Sequence, residues 1–335
     1  MTLASPSLAP ALPEAGGPLS TAILELLSGP PSTVADFPVA DSDPYGPDLQ
    51  LALYACYELA YRGFAGVDPE WEWDPEMLRL RRELERHFVA AVRAEVGEIG
   101  PGETAAAEMD ALSVEPVDGT GLSYYLRDEG TWEQMREYFA HRSLYHLKEA
   151  DPHAFAIPRL TGQAKASFVA VEFDEYGAGR GAHLHQQLYA DLMAAAGLDN
   201  SYLAYLGDVP AEMLSVVNLM SYFGLHRSMR GAAIGHFAAT EITSSPGSRR
   251  LVDALERMAA PQPCIAFYRE HVEADAVHEQ VVRTDVVGDL VAREPELEAG
   301  VVFGMRALDV VESRFADRVM ASWKAARSSL SRPLS

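Results

Sequence analysis

Apolar residues recur with helical rather than alternating spacing along nearly the whole chain. Residues 49–64, LQLALYACYELAYRGF, are apolar on almost every face, the pattern of a helix buried all round. Asp74, Pro75 and Glu76 supply an N-cap, a first-turn proline and an early acid, and they open a helix through MLRLRRELERHFVAAVRAEV. The run Asp128–Thr131 starts another amphipathic stretch, WEQMREYFAHRSLYHLKEA. Further helical segments are predicted over 162–176, 182–196, 211–226, 232–243, 249–257, 263–283 and 294–330, with Ser244–Ser248 read as a loop. The alternating valine-rich runs that mark strands are nearly absent, so the fold class is all-α.

The N-terminal end reads differently. Nine of the 21 prolines precede residue 48, and residues 1–20 have no periodic apolar face. These are expected to be a disordered tail. Residues 21–28 are expected to form a turn or two of helix before Pro30 and Pro31, and 34–47 an extended approach. This divides the chain into a Pro-rich, partly disordered arm over 1–47 and one helical domain over 48–330.

Composition narrows the function. The net charge of -22 repels phosphate backbones and anionic lipid, which disfavours nucleic-acid and membrane partners. No apolar run approaches the ~20 residues of a membrane span. Two cysteines, Cys56 and Cys264, cannot build a disulfide framework or a thiolate zinc site. The first basic residue is Arg62, so a signal peptide is not expected and a cytoplasmic location is.

Candidate chemistry lies in YREHVEADAVHEQVV. His271, Asp275 and His278 are spaced four and three apart, which puts them on one stripe of a helix with their heads able to meet one ion. The alternative is a solvated polar stripe. Further ligands must come from other helices. Glu241 ends a run of small and apolar residues, where an acid is costly unless paired or metal-bound. Glu172, Glu175, His183 and His185 cluster in VEFDEYGAGRGAHLHQQLY. Glu175 and His185 share a face if the helix runs on, since ten residues return to within about 80° of the start. Gly177, Gly179 and Gly181 equally suit a turn between two helices, and a site resting on them would be loosely held.

Taken in order, these residues resemble the heme-oxygenase-like diiron oxidases, often labelled iron-containing redox enzymes. There a first core helix carries a Glu and, ten residues on, a His; a second carries a Glu; a third carries His-x3-Asp-x2-His. The matching positions here are Glu175 in EYGAG, His185 in HLHQQLY, Glu241, and His271, Asp275 and His278. No Glu-x-x-His occurs, which separates the chain from ferritin-like bundles. The resemblance implies a heme-oxygenase-like bundle of about seven core helices plus N-terminal helices. It implies six metal ligands for two Fe(II) ions, labile because of the glycines, with O2 as co-substrate and an external electron donor left open as a partner. His183 competes with His185 as ligand, and Glu172 is a bridging acid or a partner to a histidine. No catalytic residue beyond the ligands is assigned.

The expected reaction is oxygenation of an amine or amino-acid nitrogen, or oxidative C–C cleavage, on a small-molecule substrate. The alternatives are fatty-acid decarboxylation or a metal-free binding or accessory protein on the same scaffold. Arg180 is read either as a partner for a substrate carboxylate, with Tyr176 orienting the substrate, or as a surface residue of the glycine turn. Phe168, Phe173, Leu184, Phe237 and Phe267 are read as an apolar shell or as ordinary core. His141, His146 and His153 look structural or solvated. Trp71 and Trp73 are expected to pack the arm on the body. The helix near 301–326 is expected to close the bundle or form a homodimer face, and His87 is a weak candidate for an axial heme ligand.

Overall fold

The computed structural model describes all residues except 1–8, 31–32, 35–36, 116–118 and 335, and among them there is no strand. Helices α1 (Pro18–Leu27), α2 (Pro47–Glu58) and α3 (Pro75–Val96) come first, followed by α4 (Ala105–Leu112) and α5 (Leu122–Asp128). Next are α6 (Trp132–His146), the single turn α7 (Asp151–Ala154), α8 (Gly162–Glu175) and α9 (His185–Ala195). The chain ends with α10 (Ala211–Leu225), α11 (Arg230–Arg257), α12 (Gln262–Val281), α13 (Asp289–Arg293) and α14 (Glu298–Lys324).

Local chemistry explains the boundaries. Asp74 accepts from the Glu76 and Met77 amides at the start of α3, and Thr131 forms a reciprocal capping box with Gln134 at the start of α6. Helix α2 is buried from Leu49 to Glu58, as its all-round apolar pattern requires. The expected tail over 1–20 departs from the structure among its described residues. The Ala65 amide donates to Pro10, Leu19 and Ser20 are buried, and Asp48 accepts from the Leu19 and Ser20 amides to hold the start of α1 on α2. Trp71 is buried as expected, whereas Trp73 is exposed.

Helix α11 is the axis of the body and lies along both α12 and α14. It crosses α14 with backbones touching, since a methyl group at Gly235 would strike the Val301 carbonyl and one at Gly304 the Ala232 carbonyl. The expected loop at Ser244–Ser248 is instead the middle of α11, with Pro246 inside it. An interior proline costs about 3 kcal/mol. Buried Ser245, Ser248 and Leu251, and the bond from Ser245 Oγ to the Val272 carbonyl of α12, hold the helix through it.

Glycine does interrupt the chain after α8. That helix stops at Glu175, and two 3-10 turns, Gly177–Gly179 and Gly181–His183, lead to α9 at His185. Gly177 has φ +67°, and its α-carbon abuts the His183–Leu184 backbone, so no other residue fits. The regular helix that would have put Glu175 and His185 on one face is absent. Beyond His278, α12 widens into a π segment, Val282–Gly288, before α13, and Val282, Val286, Val287 and Leu290 face a core shared with Phe168 and Phe237.

Candidate metal centre

Five segments send buried acids and imidazoles to one place. His271, Asp275 and His278 lie on one stripe of α12, Glu175 ends α8, His185 begins α9 and Glu241 lies midway along α11. Glu149 comes from the turn after α6, where Ala150 adopts φ +71°. That turn is anchored by fully buried Lys148, whose Nζ is 3.1 Å from Glu58 Oε2, with the Tyr202 hydroxyl also donating to Glu58.

The donors fall into two groups that share Glu175. The first is Glu149, Glu175, His185 and His271; the second is Glu175, Glu241, Asp275 and His278. Within each group the donor atoms lie within 4.8 Å of one another. An ion held at about 2.0–2.3 Å by opposed ligands needs that spacing.

Several atoms point at common space rather than at each other. His185 Nδ1 is 2.7 Å from Glu175 Oε2 yet makes no hydrogen bond to it, so the pair is close without being aligned. His271 Nδ1 donates to the Phe267 carbonyl at 2.8 Å, which leaves Nε2, buried with no partner and 3.8 Å from Glu149 Oε1, as the nitrogen available to an ion. His278 turns Nδ1 to Glu241 (3.2 Å), Asp275 (3.4 Å) and Glu175 (3.9 Å), while its Nε2 meets Asp174 at 3.4 Å. His146 Nδ1 binds Glu149 Oε1 at 2.8 Å.

Four carboxylates and three imidazoles carry four negative charges when the imidazoles are neutral, which two divalent cations neutralise. On the protein's own charges alone, protons must take that place. Burial lowers the His271 and His278 imidazoles, but the surrounding carboxylates outweigh it and raise them to about 10 and about 11. Burial, with Asp275 and Glu175 nearby, lifts Glu241 to about 8 against the pull of His278. Burial also raises Glu149, but His146 and His271 overcome it and leave the acid below its usual range. The residues present therefore fit a pair of divalent cations.

The other expected residues are placed as follows. Glu172 is buried with both oxygens unpartnered and belongs to neither group; burial and the acids Glu175, Glu241 and Asp151 raise it to about 9. His183 is exposed, and Arg180 is an exposed member of the glycine turn, its amide donating to Gly177. Tyr176 donates to Asp151 at 2.9 Å, tying that turn to α7. Phe168, Phe237 and Phe267 are buried, but Phe173 is exposed. The His141, His146 and His153 side chains are all shielded from solvent: His141 bonds Ser329, His153 pairs with His236, and His146 holds Glu149. His87 is bonded to the Ser42 carbonyl.

Sequence reasoning missed Glu149 and its partner His146. Spacing cannot register an acid on a non-helical turn; the available signal was a Lys-Glu pair set in an otherwise apolar and aromatic run.

A family model described as "iron-containing redox enzyme" matches residues 136–311, just over half the chain and a span that includes every donor named above. The chain is also similar to the nitrosourea synthase of Streptomyces achromogenes subsp. streptozoticus, 22% identical over 189 residues. That alignment covers 55% of this chain and 40% of the length of the synthase.

Proposed function

The chain belongs to the iron-containing redox enzyme family and has its all-α, heme-oxygenase-like fold, and from that premise we infer that it is a non-heme diiron oxidoreductase that uses O2 to oxygenate a nitrogen of an organic substrate. The observation that carries this reading is the carboxylate of Glu175 standing in both buried donor groups, as a ligand bridging two ions must. The similar synthase is named for making a nitrosourea, a product defined by oxidised nitrogen, which favours nitrogen over carbon as the site of oxygenation.

Glu149, Glu175, His185 and His271 would hold one iron, and Glu175, Glu241, Asp275 and His278 the other. Two ferrous ions held there supply electrons and open positions for O2. The chain's own residues set the conditions for that chemistry. The Phe267 carbonyl orients His271, His146 orients Glu149, and Asp174 faces the outer nitrogen of His278. The buried ring of Phe267, its centroid 4.4 Å from that of His271, sets apolar surface against that donor. Helices are expected to hold the second group stiffly, and turns to let the first adjust.

Anaerobic Fe(II) titration followed by rapid mixing with O2 tests this reading. Uptake of two irons per chain and a transient visible absorption are expected. Uptake of one iron, with no spectral change on mixing, overturns it.

A further inference from the structure

A chamber of about 1260 Å³ lies between α5, α6, α11, α12 and α14. It exceeds the ~300–1,000 Å³ usual for small-ligand pockets. His146, His271 and Phe267 line it, whereas Glu149, Glu175, His185, Glu241, Asp275 and His278 do not. The chamber therefore touches the first donor group through His271 alone and does not touch the second.

Its walls carry unused hydrogen-bonding capacity. Tyr268 is 3% exposed, and its hydroxyl is buried with no partner. Arg142 offers a second orphan donor, Nε, while its two terminal nitrogens grip Glu312 at 2.7 and 2.8 Å. That ion pair neutralises the guanidinium, so beside Nε a neutral acceptor such as a carbonyl is the matching group. Opposite, Thr240 and Thr243 give their hydroxyl protons to the His236 and Ala239 carbonyls of their own helix, at 3.0 and 2.8 Å. Their oxygens are left to accept an N–H. Phe267, Tyr268 and Trp323 add flat apolar surface.

We propose that this chamber is the substrate site and that it takes an aromatic, amide-bearing molecule larger than a free amino acid, its reactive end at His271. The proposal rests on the diiron reading for its role and on the chamber's walls for its ligand class. The amide carbonyl faces Tyr268 and Arg142, and the amide N–H faces the threonines.

Binding to the metal-free full-length protein separates the two readings. The probes are N-acetyl-phenylalanyl-phenylalaninamide and free phenylalanine, titrated calorimetrically. The blocked dipeptide is expected to bind at least about tenfold more tightly, by filling the aromatic walls and the orphan donors. Gly247→Trp projects into open space, the nearest atom to an added Cβ being 4.0 Å away, and is expected to abolish dipeptide binding while Fe(II) uptake stays at the wild-type value. Tyr268→Phe, the gentler change, is expected to weaken it about three- to tenfold. Equal binding of dipeptide and phenylalanine overturns the proposal, as does a Gly247→Trp protein that binds the dipeptide like the wild type. Dipeptide binding without Fe(II) uptake upholds the chamber and removes the diiron reading instead.

Discussion

The two donor groups share Glu175 but are built in opposite ways. Glu241, Asp275 and His278 project from the interiors of α11 and α12. In the first group Glu149 stands on a turn beside an alanine at φ +71° and His185 follows the glycine link, and only His271 comes from the interior of a helix, α12. The second group brings three carboxylates and one imidazole, the first two of each. A stiffer, more negative site binds a divalent cation more tightly, and a site on turns adjusts more easily. On the proposed diiron reading, iron retention would fall to the second group and substrate-facing change to the first, whose His271 lines the chamber.

Removing the shared carboxylate should have the largest effect. Glu175→Ala is expected to reduce Fe(II) uptake below one per chain and to abolish O2 reactivity, whereas Glu241→Ala is expected to leave one weaker ion at the first group. Anaerobic titration with metal analysis distinguishes them, and equal losses would break the comparison. Gly177→Ala comes next. Its left-handed conformation costs a side chain about 1–2 kcal/mol, and the added methyl collides with the His183–Leu184 backbone. Uptake is expected to fall from two irons to one, with a lowered Tm.

His146→Leu should act more gently. Losing the bond to Glu149 is expected to weaken the first ion roughly 10–100-fold and leave the second unchanged, read as a separation of two binding phases.

The smallest expected effect is on pH dependence. Glu241 rises from 4.5 to about 8, His271 from 6.5 to about 10 and His278 from 6.5 to about 11, so each stabilises the metal-free fold while protonated. That contribution is complete below the unfolded values and is lost as pH rises through the folded ones. The Tm of the metal-free protein is therefore expected to decline from about pH 6 to 9, while Fe(II) affinity climbs over the same range because ligation displaces those protons. The climb is expected at both groups, since the first holds the raised imidazoles of His185 and His271 and the second Glu241 and His278. Thermal melts and titrations at successive pH values measure both trends.

Legibility of the site in the sequence follows the same division. The α12 triplet was readable because helical periodicity alone puts residues four and three apart on one stripe. Glu241 was readable because a charge in an apolar run demands a partner. His185 was reached from its spacing to Glu175, although the regular helix that would justify the spacing does not exist; the turn at Gly177 brings the two together by another path. Glu149 was invisible, since no local rule marks an acid whose position depends on a buried Lys148–Glu58 pair 90 residues apart. The fold was legible in its helices and less so in its punctuation. Pro246 reads as a break, but packing on α12 and α14 outweighs a local penalty of about 3 kcal/mol.

The wide turn at Val282–Gly288 is a change of phase. A helix advances about 100° per residue, so one surplus residue rotates everything beyond it by more than a quarter of a revolution. Before the turn, α12 presents His271, Asp275 and His278 to the other donors; within and beyond it, the same rod presents Val286, Val287 and Leu290 to an apolar core. One continuous helix thus serves two surroundings with different angular demands, and deleting a single residue between 282 and 288 would leave the donors in register while turning the valines off their core.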